Sequence, residues 1–308
     1  MKKAFTLVEL LVVIGILGIL SGVLIASFGG GTESARSAQC LSNMKNLASA
    51  CHTYGMSHSY WPMAGSATRL SAKGNSSTTR GQSKKVYTEE KAWISWNSKG
   101  KFKSDGTADS DAQGTVVTCY ESNEDARYHA LTNSAIFKLV GSNREVFVCP
   151  EHKRFIQQNK AGQFPEGPLF SYAMNSYFKW NSTGEAQVSA YGNSVACWFQ
   201  SGAANSDRRL LFSEISFKSW DGESVFDKSE KCDSVLQYDP SEGGEYIGFN
   251  HKAGKNGKCA HIVFADGHVE KISMPRSGFG EDALKKLTQY LCEAIDYQIN
   301  GNSVDKIE

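Results

Sequence analysis

The sequence lacks an excess of charge of either sign. Its 308 residues carry 33 lysines and arginines against 32 aspartates and glutamates, a net charge of +1 at pH 7. The charged residues are also not gathered into a basic segment. Proteins that bind nucleic acid usually present a basic patch to the phosphates. We therefore expect no nucleic-acid partner.

The recognisable signatures of enzymes and of metal sites are lacking as well. The sequence contains no nucleophile elbow of an α/β-hydrolase and no glycine-rich phosphate loop. Its eight cysteines include no Cys-x2-Cys pair, the spacing typical of structural zinc sites. We therefore expect a protein that is not an enzyme, with no catalytic residues, no cofactor and no metal.

The first positive feature is a long apolar run near the amino terminus. Residues 10–27 carry no charge. As a helix, residues 10–28 would span about 28 Å, close to the hydrocarbon thickness of a bilayer. Lys2 and Lys3 precede the run and favour a cytoplasmic amino end. A removable signal peptide has a shorter apolar core of about 7–15 residues. We therefore expect a retained single-pass transmembrane helix.

Glu9 is an acidic residue at the head of this apolar run. Burying a carboxylate there costs up to about 2–3 kcal/mol, so a positively charged partner in the same layer is expected. Cleavage of the chain before Phe5 would create such a partner, since the new α-amino group would lie one helical turn from Glu9. The alternative is a side chain that snorkels to the membrane interface.

Glycines divide the amino-terminal helix into two predicted parts. Gly15, Gly18 and Gly22 share one face at spacings of three and four, and small residues at such spacings let helices pack closely. Three further glycines at residues 29–31 have low helix propensity. We expect a hinge at these three glycines, with the transmembrane helix at residues 5–28 and an amphipathic helix within residues 29–62.

The residues around Glu9 carry a resemblance. Residues 2–14, with the sequence KKAFTLVELLVVI, resemble the class III leader of type IV prepilins and type II secretion pseudopilins. The resemblance implies that a prepilin peptidase removes residues 1–4 by cutting between Ala4 and Phe5 and then methylates Phe5. It also implies that Glu9 pairs with the amine of a neighbouring subunit. Ala4 stands where this family more often has glycine.

The chain after the apolar run resembles one subfamily of prepilin-type proteins in particular. A helical pattern over residues 32–54 places apolar side chains at steps of three and four, and Pro62 limits its extension. Residues 34–47 are similar to the same helix in prepilin-type proteins with a carboxy-terminal H-X9-DG element. Three later segments fit that subfamily, at residues 147–150, 171–175 and 262–269. However, fourteen residues rather than nine separate His251 from Asp266, so no role is transferred to His251.

The rest of the chain predicts an α+β domain at residues 116–308. Residues 63–115 are polar and read as a surface insertion or flexible loop, with a short strand at residues 93–96. We expect an antiparallel sheet, packed on the second half of the long amino-terminal helix as in pilins. The predicted elements are helices at residues 123–140 and 283–299 and strands at residues 145–149, 188–199, 209–215, 246–249 and 259–264.

Two smaller patterns in this domain have plain structural interpretations. Asp266 and Gly267, between two apolar segments, predict a hairpin turn. Residues 109–114 resemble the start of a calcium loop, but the acidic ligand at its last position is missing, which favours a polar turn.

The cysteines allow several roles. Outside the cytoplasm disulfides are possible, although Cys40 and Cys51 would lie about 16 Å apart on one helix and cannot pair. Buried free thiols are the alternative. A further alternative is a zinc site, from Cys149 and His152, from Cys259 and His261 on one face of a strand, and from His251 and His268.

Together these patterns predict a structural subunit of a type IV pilus or type II secretion pseudopilus. Its location would be the bacterial inner membrane, with the carboxy-terminal domain outside the cytoplasm. Its partners would be the membrane, the prepilin peptidase and methyltransferase, and other pilin or pseudopilin subunits. The alternative is a membrane-tethered module outside the cytoplasm that binds a glycan or a metal and does not polymerise.

Overall fold

The computed structural model describes most of the chain in separate stretches. They are residues 7–58, 61–64, 69–77, 83–90, 92–94, 117–122, 124–159, 162, 164–178, 206–217, 234–236, 246–254 and 257–307. The predicted strand at 188–199 and the calcium-loop pattern at 109–114 lie outside these residues.

One helix, α1 (Leu7–His58), contains 52 residues and runs without interruption. The break expected at residues 29–31 is therefore not present. A glycine costs about 1 kcal/mol of helix propensity. Starting a second helix would require a new and unfavourable nucleation step. Helical backbone on both sides of the three glycines thus favours continuation through them.

No helix in the described part of the chain was found to be both long enough and apolar enough to cross a membrane. The side chains of residues 17–31, which make up much of the apolar run, lie outside the description. The transmembrane assignment of residues 5–28 therefore stays a prediction.

The second half of α1 buries one face against the rest of the domain. The buried face follows Cys40, Met44, Leu47, Cys51 and Tyr54, at steps of four and three residues. Of the apolar side chains predicted to share one face of this helix, Met44, Ala48, Cys51 and Tyr54 are buried. The first two of that predicted set are not, since Ala38 is exposed and Leu41 is half-buried.

The segment predicted as a polar insertion contains regular structure. Strands β1 (Arg69–Ser77) and β2 (Ser83–Glu90) pair as an antiparallel hairpin. Residues 92–94 then enter the core, where Trp93 is completely buried and its indole Nε1 donates a hydrogen bond to the carbonyl of Ser234 at 2.9 Å. The expectation of a surface loop is thus wrong for residues 92–94, because Trp93 packs among the buried rings of Phe147, Phe170 and Phe212.

Two of the predicted elements in the middle of the chain are different in the structure. The predicted helix at 123–140 is shorter: α2 (Glu124–Thr132) is followed by a separate 3₁₀ turn at Lys138–Val140. The predicted strand at 145–149 is a 3₁₀ helix at Arg144–Phe147, followed by α3 (Pro150–Asn159). Local chemistry explains the second case, since the side chain of Asn143 accepts a hydrogen bond from the amide of Glu145 and a proline at a first helical position is favourable.

Among the described residues, six strands form the main sheet. They are β3 (Tyr172–Asn175), β4 (Leu210–Glu214), β5 (Val235–Leu236), β6 (His251–Ala253), β7 (Gly257–Phe264) and β8 (Val269–Ser273). Their order is β5-β3-β4-β7-β6, with β8 also paired to β7. The β3–β5 pair is parallel, and the other pairs in this part of the chain are antiparallel.

The predicted α+β class is confirmed, as are the strands predicted at 209–215 and 259–264. The residues predicted as a strand at 246–249 form one isolated bridge instead, between Ile247 and Ile215.

The carboxy-terminal helix is shorter than predicted. Helix α4 (Glu281–Glu293) ends where Ala294 takes a left-handed conformation with φ of 58°. Ile299, predicted to lie on the helix, lies in strand β9 (Tyr297–Asn300), which pairs with β10 (Ser303–Lys306). Burial of Val304 in the core favours this hairpin over further helix.

Candidate functional site

The residues predicted to take part in processing and assembly lie at the start of the chain. Ala4 and Phe5 lie outside the described residues. Glu9, Gly15, Gly18 and Gly22 are in α1, and only their backbone is described. Their predicted roles in processing, pairing and helix packing stay predictions.

Asp266 and Gly267 lie in the turn between β7 and β8. Gly267 has a φ of +90°, a conformation that glycine adopts without the strain of a side chain. The carboxylate of Asp266 accepts a hydrogen bond from the backbone amide of His268 at 3.0 Å. The chemistry of these two residues is thus that of a tight turn.

The most unusual group of side chains lies between α1 and the main sheet. Glu214, at the end of β4, has no exposed side-chain surface. Its Oε1 accepts hydrogen bonds from Cys40 Sγ on α1 and from His251 Nε2 on β6, both at 2.7 Å. His261 Nδ1 on β7 lies 3.6 Å from the same oxygen. One donor atom from each of these four residues lies within 4.8 Å of the others.

The electrostatics of this group are dominated by Glu214 and His251. Burial opposes ionisation of Glu214, but the pKa of its carboxyl is lowered by His251 and His261. Burial by itself lowers the pKa of His251, whereas the Glu214 carboxylate and Cys149 raise this pKa to about 10. The two residues therefore form a buried ion pair in which the carboxylate is negative and the imidazole positive.

Two thiols and a phenol lie beside the pair. The pKa of Cys40 is raised well above that of an exposed thiol, and burial is the main cause. Cys149 Sγ lies 3.3 Å from His251 Nε2, and hydrogen bonds from Cys40 and His251 lower the pKa of Cys149 in spite of its burial. The hydroxyl of Tyr172 is 3.4 Å from Cys40 Sγ.

The two histidines of the group have nitrogens that make no hydrogen bond among the described residues. They are Nδ1 of His251 and Nδ1 of His261, both buried. The other nitrogen of His261 is hydrogen-bonded to Ser37 Oγ on α1 at 3.0 Å. Buried polar atoms are almost always paired. Nδ1 of His261 lies 3.6 Å from Glu214 Oε1 without a hydrogen bond among the described residues, which indicates that a ligand could fit beside it.

The structure brings together only some of the residues considered for a zinc site. His251 and His261 meet at Glu214, with Cys149 beside them. Cys259 lies two residues before His261, about 7 Å along the strand, and its thiol donates to the carbonyl of Lys252. The other two candidates lie elsewhere: His152 bonds to Tyr120 and Ser171, and His268 to Asp266.

Cys40 and Glu214 are the members of the group that the sequence interpretation missed. Glu214 follows the apolar residues Leu210, Leu211 and Phe212 in a strand that is completely buried. A carboxylate in a buried strand requires a partner, as the Glu9 carboxylate does in the apolar run. That signal was present in the sequence, whereas nothing in the sequence connects Cys40 to residues more than 170 positions away.

All six cysteines among the described residues are free and buried. They are Cys40, Cys51, Cys119, Cys149, Cys259 and Cys292. For these six residues, the structure agrees with buried thiols rather than with disulfides.

Comparison with known proteins identifies the amino terminus. Residues 1–25 match the family model described as the prokaryotic N-terminal methylation motif. No curated protein and no solved structure matches the chain. The chain therefore carries a type IV prepilin-like leader, and the motif supports a pilin- or pseudopilin-like role. The motif also implies processing by a prepilin peptidase and association with the membrane.

Proposed function

We propose that the chain is a non-enzymatic structural subunit of a type IV pilus or a type II secretion pseudopilus. It would belong to the prepilin-type proteins with an H-X9-DG element. The observation that carries the proposal is the match of residues 1–25 to the methylation motif, at the head of a helix that continues for 52 residues from Leu7.

The first turns of α1 support the proposal. Their described apolar side chains are between 47% and 77% exposed, a contiguous apolar surface that is unfavourable in water. A lipid bilayer covers such a surface before assembly, and the equivalent helices of other subunits cover it in a filament. The residues are Leu7, Leu10, Leu11, Val12, Val13, Ile14 and Ile16.

The second half of α1 fits the same role. Its buried face joins the helix to the sheet, so that the domain outside the cytoplasm would move with the helix as one body. The helix as a whole is about 78 Å long, enough to combine a membrane-length segment with a segment that packs on the domain. The methylation motif favours this role over that of a tethered module that never polymerises.

The mass of the mature protein tests the proposal. The full chain, purified from its native host, is expected to lack residues 1–4 and to carry one additional methyl group on Phe5. Ala4→Gly is the matched control and should be processed, because both residues are small. Ala4→Leu should accumulate with its leader, because the larger side chain enters the cleavage position. An intact, unmethylated amino terminus on the native chain would contradict the proposal.

A further inference from the structure

We propose that Cys40, Glu214, His251 and His261 form a closed site for one divalent transition-metal ion, and that zinc fits it best. The inference goes beyond the proposed function and does not depend on it. The four donor atoms lie within 4.8 Å of one another, and all four residues are buried.

The donor set selects the class of ion. One thiolate, two imidazoles and one carboxylate are the ligands of zinc, whereas magnesium and calcium prefer oxygen alone. In a tetrahedral zinc site the donor atoms lie about 3.3–3.8 Å apart, given bonds of about 2.0–2.3 Å. His261 Nδ1 is already 3.6 Å from Glu214 Oε1. Cys40 Sγ and His251 Nε2 each lie 2.7 Å from Glu214 Oε1. Both atoms need to move away from this oxygen by roughly 1 Å to reach the spacing of a tetrahedral site.

Charge balance supports a divalent ion in this place. A thiolate from Cys40 and the carboxylate of Glu214 carry two negative charges, and the two imidazoles are neutral when they bind a metal. A divalent ion thus gives a net charge of zero, as a buried site requires. The ion pair of Glu214 with His251 is also neutral, but it leaves Nδ1 of His261 without a hydrogen bond among the described residues.

His261 is held in the orientation that a metal ligand needs. Its Nε2 is hydrogen-bonded to Ser37 Oγ on α1 at 3.0 Å, and its Nδ1 faces the carboxylate of Glu214. Histidines that bind metals usually engage their other nitrogen in such a hydrogen bond, which fixes the ring and its tautomer. Ser37 is therefore assigned as the residue that positions His261.

The location of the site indicates a structural role for the ion. Its ligands come from α1, β4, β6 and β7, so the ion would link the long helix to three strands of the sheet. All four positions of a tetrahedron are occupied by protein atoms, and none of the four residues is more than 1% exposed. Catalytic zinc sites keep one position open for water or substrate. The ion would thus fix the domain on the helix.

Metal content of the full chain tests this inference directly. The protein is purified in detergent, freed of metal with a chelator, dialysed against zinc and then against metal-free buffer. Mass spectrometry is expected to find about one zinc ion per chain, as in a single structural site. Cobalt(II) in place of zinc should give the absorption bands of tetrahedral coordination and a thiolate-to-cobalt charge-transfer band. A folded chain that retains no zinc would overturn the proposal.

Matched substitutions test the assignment of the ligands. Cys40→Ser and His261→Gln should lose the bound zinc, while Cys51→Ser and His152→Gln should keep it, since these two residues are equally buried but lie outside the site. A folded Cys40→Ser chain that binds zinc with unchanged affinity would overturn the assignment. The same holds if Cys149→Ser, and not Cys40→Ser, abolishes binding.

A milder variant keeps the test valid if the ligand variants do not fold. Ser37→Ala removes only the hydrogen bond that positions His261, and such losses lower metal affinity by about 10–100-fold. Ser49→Ala on the same helix is the control, because its hydroxyl bonds to the exposed turn at Lys45. Equal zinc affinities of the Ser37→Ala and Ser49→Ala chains would overturn the role given to His261.

Discussion

His251 Nε2 lies 2.7 Å from Glu214 Oε1, and neither side chain has any exposed surface. The pair joins the first residue of β6 to the last residue of β4. Cys40 of α1 donates to the same carboxylate oxygen. One buried carboxylate therefore connects the long helix with two strands of the sheet.

We predict that Glu214→Ala destabilises the protein by about 3–5 kcal/mol, because it leaves His251 as a buried charge without its partner. Urea unfolding of the full chain in detergent, with a chelator present, measures the loss without any contribution from a bound metal. Asp296→Ala is the control: Asp296 pairs with Arg208 on the surface, and exposed pairs contribute about 0–1 kcal/mol. Equal losses of stability in the two variants would contradict the prediction, because the buried pair would then contribute no more than a surface pair.

Trp93→Ala should cost about 3–5 kcal/mol of stability, the usual range for removing a buried large aromatic side chain. The indole fills space between the rings of Phe147, Phe170 and Phe212. Its loss also removes the hydrogen bond to the carbonyl of Ser234. Thermal or urea unfolding measures the change. Tyr128→Ala, at a ring that is 55% exposed, should change stability much less, and a similar loss there would contradict the placement of Trp93 in the core.

His152 should make the protein less stable in acid. Burial lowers its pKa to about 3 in the folded protein, against about 6.5 for an unfolded chain. Between these two values the unfolded chain binds more protons, so the free energy of unfolding falls as the pH is lowered through this range, by at most about 1.4 kcal/mol per pH unit. The part of the folding stability that comes from a neutral His152 is fully present above about pH 6.5 and is lost as the pH falls toward about 3.

Urea unfolding between pH 7.5 and pH 4.5 measures this dependence as a difference between variants. His152→Gln is expected to reduce the decline in the free energy of unfolding toward low pH, even though it also weakens the hydrogen bonds to Tyr120 and Ser171. His58→Gln, at an exposed position near the end of α1, is the control and should keep the native slope. The same slope in both variants would show that His152 does not bind a proton on unfolding.

Replacement of Glu9 tests assembly. Under the proposed function, Glu9→Gln removes the charge that pairs with the amine of a neighbouring subunit, while residues 1–4 are still cleaved. Filaments in the native host, counted by electron microscopy, should be absent or rare. Glu33→Gln is the control on the same helix, because Glu33 pairs with Lys252 of its own domain at 3.0 Å. Normal filaments with Glu9→Gln would contradict the pairing.

The sequence predicted the local features well where a short segment contains the whole signal. The leader around Phe5 is of this kind, and so is the turn at Asp266 and Gly267, since a left-handed glycine between two apolar strands needs no distant contact. The apolar strands at 209–215 and 259–264 were predicted for the same reason. Element boundaries were less accurate, as the conformation of Ala294 ended the last helix before Ile299.

The sequence alone determined the features of the amino terminus: a leader, a lone carboxylate and an apolar run. Each is defined by residues that are adjacent in the chain. Only the tertiary structure placed Trp93 in the core and brought Cys40, Glu214, His251 and His261 together. The physical reason is distance along the chain. Local propensities and spacings act over a few residues, whereas Cys40 bonds to Glu214, which follows it by 174 positions, and Trp93 packs against Phe212 from a distant strand.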